Sequence, residues 1–83
     1  MTSKLPGALK LLSGRTIPVP VFGSSHIQAI GYNPRRLILG VLFKNGGYYE
    51  YGFVPPWVFL NFLASGSKGG YFWQNIRGNY PNI

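Results

Sequence analysis

The chain has 83 residues but no cysteine and no aspartate, and Glu50 is its only acidic residue. Without cysteine it has no disulfide, thiolate metal site or cysteine nucleophile. A single carboxylate side chain excludes paired-carboxylate catalysis within one subunit. One glutamate and one histidine cannot complete a zinc, calcium or magnesium site. A serine hydrolase is disfavoured because the orienting acid is nearly absent. We therefore expect no catalytic residue, no metal and no cofactor.

Long apolar runs are also missing. No segment approaches the roughly 20 apolar residues of a membrane-spanning helix. The first residues contain a proline, a glycine and lysines, and no long apolar region follows them. We therefore expect neither a membrane span nor a signal peptide.

Positive charge and aromatic side chains are abundant. Eight lysines and arginines give a net charge of +7, and aromatic residues make up 17% of the chain. The surplus of cations favours an anionic partner such as nucleic acid, a nucleotide or an acidic lipid surface, although a solvated basic surface would have the same composition. A domain of this size is only marginally stable, which makes self-association reasonable.

The chain divides into a flexible basic N-terminal arm, residues 1–17, and a domain at residues 18–83. Pro18 and Pro20 remove backbone donors, so this segment suits a sheet edge or a linker. Three strands are predicted, at 25–32, 36–44 and 48–53. The first is mixed in pattern, whereas apolar residues alternate clearly along the second. The first ends at a turn formed by Asn33 and Pro34.

The sequence Asn-Gly-Gly at 45–47 predicts a hairpin between the last two strands. A three-residue loop at 45–47 would place Phe43 opposite Tyr49. A two-residue turn would instead set Glu50 among the apolar residues of the same face, so we favour the longer loop.

A helix is predicted at 57–65, with proline near its start and Gly66 as its C-cap. It is apolar nearly all round, which indicates burial on more than one side. Packing on the sheet with scattered exposed apolar residues is the alternative. We expect an interface with a second copy or a protein partner at Trp57, Phe59 and Phe62. A short helical turn follows, with Phe72, Ile76 and Tyr80 on one stripe. The predicted fold class is α+β: an antiparallel meander of three to four strands with one packed apolar helix.

Tyrosines interleaved with cations are typical of surfaces that stack bases and contact phosphates. Most of the rings are also needed for a core, so two or three are expected to face a ligand. His26 is the only imidazole, and a ligand-contacting role is favoured over general acid–base catalysis, which needs a second positioned group. The predicted ligand-binding residues are Arg35, Arg36, Tyr49, Tyr51, Ser67, Lys68, Tyr71, Arg77 and His26.

The combined pattern from about Val21 to Pro81 resembles the KTSC domain, which is named for the C-terminus of some lysyl-tRNA synthetases and also occurs as stand-alone bacterial and phage proteins. Asn33 and Trp73 stand where an acid and a small polar residue are commoner. The residues that carry the resemblance are Ser24, Ser25, Ile27, Ile30, Gly31, Tyr32, Leu37 to Phe43, Asn45, Gly46, Tyr49, Glu50, Tyr51, Val54, Pro55, Ala64, Ser67, Lys68, Gly69, Tyr71, Phe72, Ile76, Arg77 and Tyr80.

The resemblance implies RNA binding as the usual suggestion for the family. Our leading hypothesis is a non-catalytic module that binds an anionic nucleotide-type ligand, RNA first. The alternative is a phage-type homo-oligomer with an anti-defence role, which sequesters a small nucleotide immune signal. A third hypothesis is a structural or protein-interaction module. We expect a cytoplasmic location, in the bacterial host cytosol if the protein is phage-encoded.

Overall fold

The computed structural model describes residues 16–83. Four strands form one antiparallel sheet in the order β1-β2-β3-β4. The bounds are Ile17–Pro20 for β1, Ile27–Asn33 for β2, Ile38–Phe43 for β3 and Tyr48–Tyr51 for β4. Helix α1 spans Pro56–Ala64 and helix α2 spans Lys68–Tyr71, which continues into a π-helical turn at Phe72–Ile76. The predicted α+β meander is confirmed. Residues 1–15 of the predicted arm lie outside the described residues, and β1 begins within that arm's last predicted residues.

The two edge strands end the sheet in different ways. The Val21 amide donates to the Gln28 carbonyl in β2. Because hydrogen bonding alternates along an antiparallel strand, the backbones of Pro18 and Pro20 face away from β2. At the other edge, Tyr51 of β4 forms a bridge with Asn82. The last residues of the chain therefore lie along β4.

The β3–β4 hairpin has the predicted faces but not the predicted register. Val41 lies opposite Tyr49, and the Phe43 amide donates to the Gly47 carbonyl. The loop is therefore three residues, 44–46, rather than 45–47, and the prediction that Phe43 lies opposite Tyr49 is wrong. Gly46 adopts a φ of 95°, which matches a three-residue loop ending in a left-handed residue. The error is a shift of two residues, so each side chain keeps its face.

The helices cover one face of the sheet. The core on that face contains residues of every strand after β1, of α1, of the π-helical turn and of the loop before α1: Ile27, Ile30, Tyr32, Leu39, Val41, Tyr51, Val54, Val58, Phe62, Phe72 and Ile76. The Tyr32 hydroxyl donates a hydrogen bond to the Val54 carbonyl, and its ring stacks on Phe59 at 5.0 Å between centroids. The start of α1 is thereby tied to β2.

Helix α1 begins with a proline in its first turn, as predicted. The expectation that Gly66 forms its C-cap is wrong. The helix ends at Ala64, and its C-cap is Ser65, which is extended. The Ser65 amide and hydroxyl both donate to the Phe62 carbonyl. Because the serine satisfies this carbonyl, no left-handed residue is needed at position 66.

The opposite face of the sheet contains a glycine pair, Gly31 and Gly40, which lie directly opposite each other on β2 and β3. A Cβ atom on Gly31 would come within 2.7 Å of Thr16 Oγ1 and 2.8 Å of the Ile17 carbonyl oxygen. On Gly40 it would meet Tyr48 Oη at 2.6 Å. Only glycine therefore lets Thr16 and Tyr48 lie so close to the strands.

Candidate functional site

A continuous groove crosses the end of the sheet where β2 begins and β3 ends. It consists of three adjoining cavities of about 470, 520 and 800 Å³, and all three have Trp73 in their wall. The first two share Ser25 and His26, and the last two share Phe43 and Asn45. We refer to this surface as the Trp73 groove.

One end of the Trp73 groove is polar and built from two loops of small residues. The Ser24 hydroxyl accepts hydrogen bonds from the amides of His26 and Ile27, at 3.2 and 3.0 Å, and thereby fixes the loop before β2. The second loop contains Ser67, whose hydroxyl accepts from the Gly70 amide at 3.1 Å and caps α2. Lys68 lines this end and donates from Nζ to the Ser65 carbonyl at 2.6 Å.

The other end of the groove is aromatic. Tyr49 and Trp73 are about half exposed there, at 47% and 59%. Behind them, the ring of Phe72 contacts Phe43 and Tyr51 edge to face, at 5.3 and 5.8 Å between centroids. These buried rings hold the exposed rings in place, and Tyr80 and the side chains of Asn45 and Asn82 complete the wall.

Arg77 and Trp73 form a cation–π pair at the aromatic end of the groove. The Arg77 guanidinium carbon lies 4.4 Å from the centroid of the Trp73 ring. The π-helical turn sets this arrangement, because the Arg77 amide donates to the Phe72 carbonyl at 2.9 Å. Burial raises the pKa of the Tyr51 hydroxyl, and the nearby positive charge of Arg77 opposes part of that rise. The positive charge of Arg77 therefore interacts with both the Trp73 ring and the Tyr51 side chain.

The charge along the groove has one sign. Lys44, Lys68 and Arg77 line it, together with His26. The single carboxylate side chain, Glu50, lies between two groove residues on β4, so strand alternation directs it to the other face. There it accepts a hydrogen bond from the Tyr48 hydroxyl at 2.6 Å. Among residues 16–83, no group of three or more metal-ligating side chains is present.

A family model for the KTSC domain matches residues 23–80. The chain belongs to the KTSC domain family. The crystal structure of the KTSC domain protein YPO2434 from Yersinia pestis is similar, with a TM-score of 0.77 and 35% identity over 82% of this chain and 94% of that chain.

Two sequence relatives of this KTSC domain also match. An uncharacterised protein of Stutzerimonas stutzeri is 41% identical over 54 residues, which is 65% of this chain and 76% of that protein. A protein of Tsukamurella paurometabola is 48% identical over 46 residues, 55% of this chain and 69% of that protein. Within residues 16–83 of the KTSC protein, no helix is long and apolar enough to cross a membrane.

The KTSC fold brings six of the nine predicted ligand-binding residues to the Trp73 groove. One of them, Tyr51, is only 7% exposed and packs against Phe72, so its ring lies behind the exposed surface of the groove. The six are His26, Tyr49, Tyr51, Ser67, Lys68 and Arg77.

The other three predicted residues lie elsewhere. Arg35 and Arg36 are in the β2–β3 turn, where their amides donate to Asn33 Oδ1. The length of β2, about 20 Å at 3.3 Å per residue, separates this turn from the groove. Tyr71 stacks on Phe62 at 5.3 Å, and its hydroxyl donates to the Val58 carbonyl at 3.3 Å. It therefore packs between helices and does not line the groove.

Several groove residues were not among the predicted site residues, and those with polar, charged or aromatic side chains include Lys44, Asn45, Trp73 and Tyr80. Trp73 could have been found, because a residue four positions before Arg77 in a helical segment lies on the same face. The contribution of the hairpin loop depends on where α2 packs, which no local pattern reveals.

The three residues predicted to form an interface lie in different environments. Phe62 is fully buried inside the chain, so the prediction that it contacts a partner is wrong. Phe59 stacks on Tyr32 and is partly buried. Trp57 is 61% exposed, and Leu60, one turn later, is 60% exposed. Helix α1 therefore packs one side on the sheet and presents an apolar outer surface.

Proposed function

We propose that this KTSC domain is a non-catalytic module that binds single-stranded RNA in the Trp73 groove. The observation that supports the proposal most is the Trp73–Arg77 pair, in which an exposed aromatic ring and a cation lie 4.4 Å apart along a groove with no carboxylate side chain. Single strands bind to other proteins through this combination of stacking rings and cations.

In this proposal, the aromatic end of the groove stacks bases and the polar end contacts phosphates. Trp73 and Tyr49 offer exposed rings on which bases stack, and each stacked base contributes about 1–3 kcal/mol. Lys68 and the small-residue loops around Ser25 and Ser67 form the polar end, where side-chain hydroxyls and a cation meet phosphates. Lys44 extends the positive charge between the two ends.

The surroundings of His26 support a binding role over a catalytic one. His26 is exposed, and its Nδ1 lies 3.4 Å from the hydroxyl of its neighbour Ser25. General acid–base catalysis needs a second group that orients the imidazole. The carboxylate that usually serves this purpose, here Glu50, is on the other face of the sheet.

Salt dependence tests the proposal. We expect the affinity for a fluorescein-labelled octauridine to fall with salt, with a slope of log K against log salt of about −2, because three groove cations each release about 0.7 counterion from a single strand. A flat plot, or no binding at low salt, would refute RNA binding. A His26→Ala variant that lost a catalytic activity of the unmodified protein would contradict the non-catalytic role.

Two tryptophans of equal exposure provide a matched pair of variants. Trp73 is 59% exposed in the groove and Trp57 is 61% exposed on α1. We expect Trp73→Ala to weaken octauridine binding about tenfold, since one stacking platform is lost. Trp57→Ala should leave it unchanged. Equal losses in both variants would show that the groove is not the binding surface.

A second candidate function is sequestration of a small nucleotide by a homo-oligomer. The exposed apolar surface of α1, with Trp57 and Leu60, favours self-association. In this case mono- or dinucleotides should raise the melting temperature and octauridine should bind poorly. A monomeric mass in solution with no thermal shift from any linear or cyclic nucleotide would exclude it.

A further inference from the structure

We propose that the aromatic end of the Trp73 groove prefers guanine over the other RNA bases, and that Arg77 is the residue that reads it. This inference rests on the proposed RNA binding and adds base selectivity to it.

The position of Arg77 is fixed while its donors stay available. Its guanidinium carbon lies over the Trp73 ring, 4.4 Å from the centroid, so the indole restrains the position of the fork. Among residues 16–83, the Arg77 side chain makes no hydrogen bond, and it is exposed at the rim of the largest of the three groove cavities. A base stacked beside it would therefore meet N–H donors that are already held against the ring.

The groove offers charged donors but no charged acceptor. Lys44, Lys68 and Arg77 supply N–H groups, whereas Glu50 lies on the other face of β4. Two neutral amides in the wall are partly engaged: Asn45 Oδ1 accepts from the Gly47 amide at 2.8 Å, and Asn82 Nδ2 donates to the Glu50 carbonyl at 2.8 Å. The lining therefore favours a base edge that consists of acceptors.

Guanine matches this lining better than the other bases. Its O6 and N7 atoms are adjacent acceptors, and arginine donates to both at once. On the corresponding edge, adenine and cytosine present an amino donor, and uracil presents only the O4 carbonyl with no neighbouring ring acceptor. A purine also covers more of the Trp73 ring than a pyrimidine does.

The test uses octauridine and three versions of it in which the fourth base is guanine, adenine or cytosine. Affinities are measured by fluorescence anisotropy at one salt concentration. We expect the guanine version to bind about tenfold more tightly than the others, in the range of one bidentate arginine–guanine contact. Inosine at this position should bind like guanine because it keeps O6 and N7. Seven-deazaguanine, which lacks N7, should lose most of the gain.

An Arg77→Lys variant separates the fork from the charge. It keeps the charge but loses the planar pair of donors, so the guanine preference should fall below twofold while octauridine still binds. Arg36→Lys, in the distant β2–β3 turn, is the matched control and should keep the preference. Binding of all four RNAs with equal affinity, or a preference that survives Arg77→Lys, would overturn this inference and leave the proposed RNA binding standing. Binding of none of them would overturn both.

Discussion

Replacing Phe62 with leucine would test whether this residue anchors helix α1 in the core. Phe62 is fully buried, and its ring stacks on Tyr71 at 5.3 Å with an interplanar angle of 17°. A change of shape in a packed core costs up to about 1.5 kcal/mol, and loss of an aromatic pair costs about 0.5–1.5 kcal/mol. We therefore expect the free energy of unfolding to fall by about 1–3 kcal/mol, out of a total of about 4–12 kcal/mol for a domain of this length.

The assay is urea unfolding followed by far-ultraviolet circular dichroism. Trp57→Leu on the exposed side of the same helix is the control, and it should change the free energy of unfolding by no more than about 0.5 kcal/mol. Equal unfolding midpoints for the two variants would refute the assignment of Phe62 to the core. So would a Phe62→Leu protein that changed its mass in solution but kept its midpoint.

Two further predictions concern stability. Gly31→Ala would place a Cβ 2.8 Å from the Ile17 carbonyl oxygen, and we expect the free energy of unfolding to fall by about 1–3 kcal/mol. The control is Gly66→Ala, whose Cβ would have nothing within 4 Å and which should change the free energy of unfolding by no more than about 0.5 kcal/mol. Equal urea midpoints for the two variants would contradict the expected clash at Gly31. Tyr32→Phe should cost about 1–3 kcal/mol at pH 7 because the Val54 carbonyl loses its donor. Burial raises the pKa of Tyr32 above its usual value of 10.0, so the stability of the unmodified protein should fall as the pH rises past 10. The fall should be less steep in Tyr32→Phe, which lacks this hydroxyl. Urea titrations of both proteins at about pH 7 and 11 measure the effect, and an identical pH dependence would contradict it.

The faces of the strands were predictable from the sequence, whereas the register was not. Alternation correctly placed Val41, Phe43 and Tyr49 on the helix side of the sheet, since a side chain's face depends only on odd or even position. The register depended on which three residues form the loop, and the two choices keep the same faces. Only the left-handed conformation at Gly46 distinguishes them.

Part of the candidate site was predictable from the sequence, and part depended on how the chain packs. Ser67, Lys68 and Arg77 were among the predicted ligand-binding residues, and all three line the groove. Arg35 and Arg36 are close to the tyrosines in sequence, yet a hairpin turn carries them to the far end of the sheet. Tyr71 and Phe62 could not be assigned from sequence because they pack against each other, and either ring alone would suit a surface.

The prolines of β1 and the C-terminal residues along β4 have a consequence for how copies of this protein can meet. An open strand edge is a template for pairing with another chain and for fibril growth. At β1 the outward positions 18 and 20 have no N–H to offer, and at β4 the amides of Gly52 and Ile83 are already bonded to the Pro81 and Glu50 carbonyls. Within residues 16–83, pairing of the sheet with another copy is therefore disfavoured at β1 and along the part of β4 that the C-terminal residues cover. Assembly through side chains is favoured instead, and the surface of α1 can provide it while the groove stays open.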